Sequence, residues 1–135
     1  MKVKEFQAEN FCYPDRKFKL MFYQISHSEM ILRSYKDGYL HNISYEKNID
    51  IYFGNVDYIE IPQIIYGIKF RKANADDIRY LSAKMHCRIS EDDVVVIISE
   101  DKEYYIVASI IKISENELGH VEVPICCHIA GNEHM

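Results

Sequence analysis

Apolar and polar positions alternate most regularly from Asn48 to Ile61, and that stretch, NIDIYFGNVDYIEI, predicts a β-hairpin. Two alternating runs flank Gly54-Asn55. Glycine at the first central position of a two-residue loop suits a type II′ turn, because it has no Cβ to clash at positive φ. The register then sets Phe53 opposite Val56, Ile51 opposite Tyr58 and Ile49 opposite Glu60. Side chains alternate along a strand, so Ile49, Ile51, Phe53, Val56 and Tyr58 take the core face. Asp50, Tyr52, Asp57 and Ile59 take a mixed, partly wet face. Pro62 ends the second strand, since it cannot donate to a ladder.

The rest of the pattern is mostly strand-like. Met1 to Phe6 alternates weakly, and Gln7 to Lys17 reads as a loop. Phe18–Ile25 and Glu29–Tyr35 form a second hairpin about Ser26-His27-Ser28. Lys36 to Lys47 is polar, with a turn signal at Asp37-Gly38 and a short strand over Tyr39 to Ser44. Ile64 to Lys72 is one more strand, bent or bulged at Gly67.

One segment changes period. Asn74 can cap a helix, with Asp77 three residues on in a capping-box arrangement and Asp76 beside it at the positive end of the helix dipole. Ile78, Leu81 and Met85 recur at helical spacing, which places a helix over 75–85. After the polar break Ser90 to Asp93, Val94 to Ser99 is apolar throughout and reads as a strand buried on both faces. Tyr104 to Ser114 and His120 to Cys127 complete a meander with turns at 100–103 and 115–119. The expected fold is α+β and predominantly antiparallel. It is a curved sheet or partly open barrel of about seven to nine strands with one helix packed on it, in a single domain over 1–135.

Composition narrows the function classes. No apolar run approaches the length of a bilayer span and the N-terminus lacks a signal-peptide core, so a cytoplasmic chain is expected, without membrane attachment. A net charge of −5 argues against nonspecific nucleic-acid binding. Four cysteines without a secretory signal read as reduced thiols.

Each chemical constellation has a plainer structural reading. His86-Cys87 and Cys126-Cys127-His128, with His120 and His134, lack zinc-knuckle spacing. They read as small buried thiols and surface histidines. Ser26-His27-Ser28 is a turn, since triad members meet in space and seldom in sequence. Of the carboxylate pairs, Asp76-Asp77 belongs to a helix start, and Asp92-Asp93 and Glu100-Asp101 to turns. Asp50 and Asp57 are diagonal neighbours on the wetter hairpin face and form the more interesting pair. No cofactor or metal is expected, and enzymatic activity is not favoured.

The leading expectation is a non-enzymatic domain that binds a basic protein partner, in the manner of a small bacterial immunity or antitoxin protein. That analogy rests on size and acidity, with no motif behind it. Residues 75–103 carry eight acids against four bases, and the chain has eleven tyrosines, a residue type favoured in interfaces. The surface is assigned to Tyr39, Tyr52, Asp50, Asp57, Asp92, Asp93, Glu100 and Asp101, with Tyr35, Tyr45 and Tyr66 as further exposed tyrosines. An alternative is a small-molecule pocket in the half-open barrel, with His27, Asp50, Asp57 and Tyr52 as its polar groups. A second alternative is homo-oligomeric self-assembly through a strand edge.

Overall fold

The central stretch departs from its sequence pattern, and the departure shapes the whole sheet. In the computed structural model, which describes residues 2–5, 11–37 and 44–124, Asn48–Glu60 is one unbroken strand. No hairpin forms at Gly54-Asn55. The positive φ falls on Asn55 (53°) and not on Gly54, and the register shifts by a bulge between Val56 and Tyr58. The reason is tertiary. Every residue from Asn48 to Gly54 is buried, because the strand lies between two neighbours instead of folding on itself.

The strands are β1 (Lys2–Glu5), β2 (Cys12–Gln24), β3 (Glu29–Ser34), β4 (Asn48–Glu60), β5 (Ile64–Arg71), β6 (Val94–Ser99) and β7 (Lys102–Asn116), with α1 (Ala75–Met85) between β5 and β6. All pairings are antiparallel, in the order β1-β7-β4-β3-β2-β5-β6. β6 also returns to β7, so six strands close into a ring and the short β1 is added to the far half of β7. The closure is slight at one seam, since β5 and β6 share only Lys69–Arg71 with Val96–Ile98. The sheet is therefore ring-like but not a barrel. The ring itself holds six strands, fewer than the seven to nine expected, because β4 absorbs two of the expected strands and residues 120–124 form none. The strand expected at 39–44 falls largely outside the described residues, as does the end of the one expected at 120–127.

Two hairpins are real. β2 and β3 join through a 3-10 turn at Ile25–His27, closed by Ser28 in the left-handed region. β6 and β7 join through Glu100 and Asp101, with φ of 49° and 65°, the backbone of a type I′ turn. β2 begins at Cys12, earlier than its pattern suggests, because Cys12–Lys19 pairs with β5. The irregularity in the β2–β5 pairing lies in β2 between Tyr13 and Lys17, opposite Gly67, which has φ +73° and whose Cβ would meet the Pro14 carbonyl oxygen at 2.8 Å; both account for a glycine here.

The shared inner face of the ring holds the main core, with side chains from all six strands, among them Phe18, Leu32, Phe53, Ile68, Ile97 and Ile106. Two smaller clusters lie on the outside. One sits under α1, where Leu81 packs with Val94, Val96 and Val107. The other gathers Met21, Phe22, Ile110 and Val123 about Ile31 and Tyr52. The helix spans its expected residues, with the Asn74–Asp77 capping box intact. No helix among the described residues is long and apolar enough to cross a membrane.

Candidate partner-binding face

Sheet register builds the first polar site. Arg71, Val96, Tyr105 and Glu60 pair across β5, β6, β7 and β4 in one row, so all four point to the same outer face. Two residues along, Val94, Val107 and Tyr58 make the next row on that face. The helix lies over both rows. Its first turn brings Asp77 to Arg71 and Tyr105, and its next turn brings Tyr80 to Glu60.

The hydrogen bonds join these groups into one cluster. Asp77 Oδ2 accepts from Arg71 Nη1 at 2.7 Å and from the Asn74 amide at 2.8 Å, and Asp77 Oδ1 accepts from Arg71 Nη2 at 3.0 Å and Tyr105 Oη at 2.9 Å. Arg71 Nε also donates to Glu103 Oε2 at 2.6 Å. Glu60 accepts from Tyr58 Oη at 2.6 Å and from Tyr80 Oη at 2.9 and 3.0 Å. The Tyr80 and Tyr105 rings lie 5.4 Å apart.

Ionisation follows from these bonds. The Arg71 guanidinium, opposed by burial and helped by the Asn74 amide and the Tyr105 hydroxyl, holds the Asp77 carboxyl down at about 2. Hydrogen bonds to Asp77 and Glu103 push Arg71 upward. The bond to Glu60 raises Tyr58 to about 12 and also raises Tyr80. Burial, then the bond to Asp77, raises Tyr105 to about 12. The three tyrosines therefore stay neutral donors at physiological pH.

The second polar site is closed. Arg33 and Asp50 are both fully buried, in a two-pronged pair with Nε–Oδ1 2.6 Å and Nη2–Oδ2 2.8 Å. The remaining donors of Arg33 reach the carbonyl oxygens of Gly119 (2.8 Å), His120 (3.2 Å) and Glu122 (2.7 Å). Asn116 donates to Asp50 at 2.8 Å, and Asn48 bridges Asn116 and the Leu118 carbonyl, each at 2.9 Å. The segment after β7 is thus strapped across β3 and β4 by its main chain.

These facts sort the residues singled out from the sequence. Asp50 and Tyr52 lie on a covered face, not a wet one, because β4 is a central strand under the strap. Asp50 is spent on Arg33, and Tyr52 donates to the buried Glu29 at 2.6 Å. Both leave the proposed surface. Tyr35 is buried as well, and Tyr39 lies outside the described residues. Asp57, on the β4 bulge, is exposed, as are Asp92, Glu100 and Asp101, while Asp93 is half-exposed. The two acidic turns sit at opposite ends of six-residue β6, about 20 Å apart, so they are not one cluster. Register instead brings Asp57 near Asp92 and Asp93, because Tyr58 and Val94 flank Val107.

The four groups of the pocket alternative do not converge: Asp50 is buried on Arg33, Tyr52 on Glu29, and His27 and Asp57 are exposed. Cys12 and Cys87 are exposed and not buried, one opening β2 and the other following the helix cap. Cys126, Cys127, His128 and His134 lie outside the described residues. Among the described residues, no three His, Cys, Asp or Glu side chains gather as metal ligands would.

Sequence reading missed Glu60, Tyr80, Tyr105, Arg71 and Arg33. Tyr80 carried a local signal, since it lies three residues after Asp77 on the same helix face. Glu60 and Tyr105 carried none, because only their pairing across β4 and β7 brings them together. In comparisons with known proteins, the chain matches no family model, no curated protein and no solved structure.

Proposed function

We propose that this chain is a non-enzymatic protein-binding module that holds a basic partner against the outer face of α1, β4 and β7. The observation that carries the reading is a group of acids without an ion pair. Asp57, Glu60, Glu91, Asp92 and Asp93 have no basic partner among the described residues. They border the tyrosines of the α1 face, where Tyr80 is 40% exposed. Acidic groups that are not neutralised within the chain attract a basic surface and orient it, and tyrosine supplies contact area with a hydroxyl at its end. The revised surface keeps Asp57, Asp92 and Asp93 and adds Glu60 and Tyr80. Glu100 and Asp101 mark a separate acidic end.

The test is affinity capture of the tagged protein from its native lysate, repeated with the triple variant Asp57→Asn, Asp92→Asn, Asp93→Asn. One stoichiometric basic partner, held through moderate salt and weakened at least tenfold by the triple variant, is the expected result. A partner that binds the variant as well as the wild type would place the interface elsewhere. A bait that captures nothing would end the protein-binding reading.

A further inference from the structure

We propose that Tyr80 and Glu60 form a subsite for an arginine side chain presented by the basic partner. The proposal rests on the protein-binding reading and specifies what that face recognises.

Glu60 is the starting point. It sits in the row with Tyr105 near the end of β4 and is half-buried. Both groups that bond it, Tyr58 Oη and Tyr80 Oη, are neutral hydroxyls. They satisfy lone pairs without cancelling the charge, so a partly desolvated anion remains with no cation beside it. Two hydroxyls also leave the carboxylate with acceptor capacity for one more donor.

The ring of Tyr80 supplies the other half of the subsite. It leans on Tyr105 at 35° between planes, and its hydroxyl ends at Glu60. Its face already attracts a cation of the chain itself: Lys84, one helical turn on, holds its ammonium 5.6 Å from the ring centroid. No hydrogen bond or ion pair joins that ammonium to Glu60 among the described residues. Lys84 thus marks the ring as cation-accepting without neutralising the acid.

Shape then favours arginine over lysine. A guanidinium is planar, so it can lie on the Tyr80 ring and direct an N–H edge at Glu60 in the same pose. An ammonium is a compact charge and gives up one contact to make the other. The combination occurs elsewhere in this molecule. Arg16 stacks 3.9 Å over the Tyr45 ring while its Nε donates to Ser34 Oγ at 2.7 Å and its Nη2 to the Lys47 carbonyl at 2.9 Å. Among the described residues no tyrosine hydroxyl hydrogen-bonds to the turn acids Asp92 and Asp93, so they attract either cation equally.

The experiment titrates 15N-labelled full-length protein with an acetylated hexa-arginine amide and, in parallel, with the hexa-lysine peptide. Arginine binding should shift the amides of residues 58–60, 79–81, 84 and 105, and should be roughly fivefold tighter than lysine binding. Glu60→Gln and Tyr80→Ala should each bring the arginine peptide down to the lysine value, with unchanged circular dichroism. Asp92→Asn should weaken both peptides alike. Lys84→Met should strengthen arginine binding more than Lys102→Met does, since only Lys84 stands on the ring. Equal affinities for the two peptides, or equal effects of Glu60→Gln and Asp92→Asn, would show general acidic attraction and overturn the subsite. Failure of both peptides to bind, while a captured partner still depends on Asp57, Asp92 and Asp93, would also overturn the subsite and leave the broader reading standing.

Discussion

Two arginine–aspartate pairs of the same chemistry serve opposite ends in this molecule. Arg33–Asp50 has both side chains fully out of water, and every other donor of Arg33 goes to main-chain carbonyls of the strap. Arg71–Asp77 is 27% exposed on the arginine side, and its neighbours are tyrosines and Glu103. The first pair reads backbone and fixes where a segment lies. The second anchors a helix start beside a face that remains available. What separates them is cover: the strap buries one, and nothing among the described residues covers the arginine of the other. A buried pair offers little net stability over an apolar substitute, yet removing one member is costly, because the survivor keeps its charge without compensation.

The contrast can be broken most sharply at Asp50. Asp50→Ala leaves the Arg33 guanidinium buried without its anion and should cost about 3–5 kcal/mol in urea denaturation. Combining it with Arg33→Leu should cost clearly less than the two single changes added together. Simple addition would show that the pair is not coupled.

Asp77 comes next. Its folded pKa, about 2, lies below the ordinary aspartate value of 3.8, so it stabilises the fold above pH 4. That contribution, about 2 kcal/mol, is lost as pH falls from about 4 to about 2. Asp77→Ala should remove a similar amount at neutral pH and flatten the acid limb of the stability curve. The tyrosines have the reverse sign. Tyr58 and Tyr105 are raised from 10.0 to about 12, so their share is present below pH 10 and lost as pH rises through 12. Ultraviolet titration should show ionisation in that delayed window, and a single step near pH 10 would contradict it.

Tyr52→Phe tests the covered face at a smaller scale. It removes the hydroxyl that donates to the buried Glu29 carboxylate and should cost about 1–2 kcal/mol by thermal or chemical denaturation. Glu60→Gln should have the smallest effect on stability, under about 0.5 kcal/mol, because its site is partly solvated. If Glu60→Gln proved as costly as Tyr52→Phe, the two regions would not differ as described.

The two turn-like dipeptides show how much of this could be read from the chain. Gly54-Asn55 has strong turn chemistry and lies within a strand. Glu100-Asp101 has weak turn chemistry and makes a tight hairpin. Local propensity lost to pairing at Gly54-Asn55, whereas the turn expected at 100–103 formed. β7 offers partners from Asn48 to Glu60, and extending β4 satisfies more backbone groups and buries more apolar surface than a hairpin would. The same long-range pairing explains the site. Asp57, Asp92 and Asp93 were legible as exposed acids, whereas Asp50 looked the same in sequence and proved to be the partner of a buried arginine 17 residues away.

By itself, the sequence determined the strand-rich character, the β2–β3 hairpin, the break in regular strand geometry at Gly67, the buried β6 run and the capped helix at Ala75–Met85. These are set by neighbours within a few residues, through alternation, capping and allowed φ. Only the tertiary structure decided that β4 is continuous, that β6 closes a ring on β7, that Arg33 and Asp50 are sealed beneath a strap, and that Glu60 meets Tyr80. Each of those depends on which distant strand lies alongside, and strand register is selected by burial on both faces of the sheet at once.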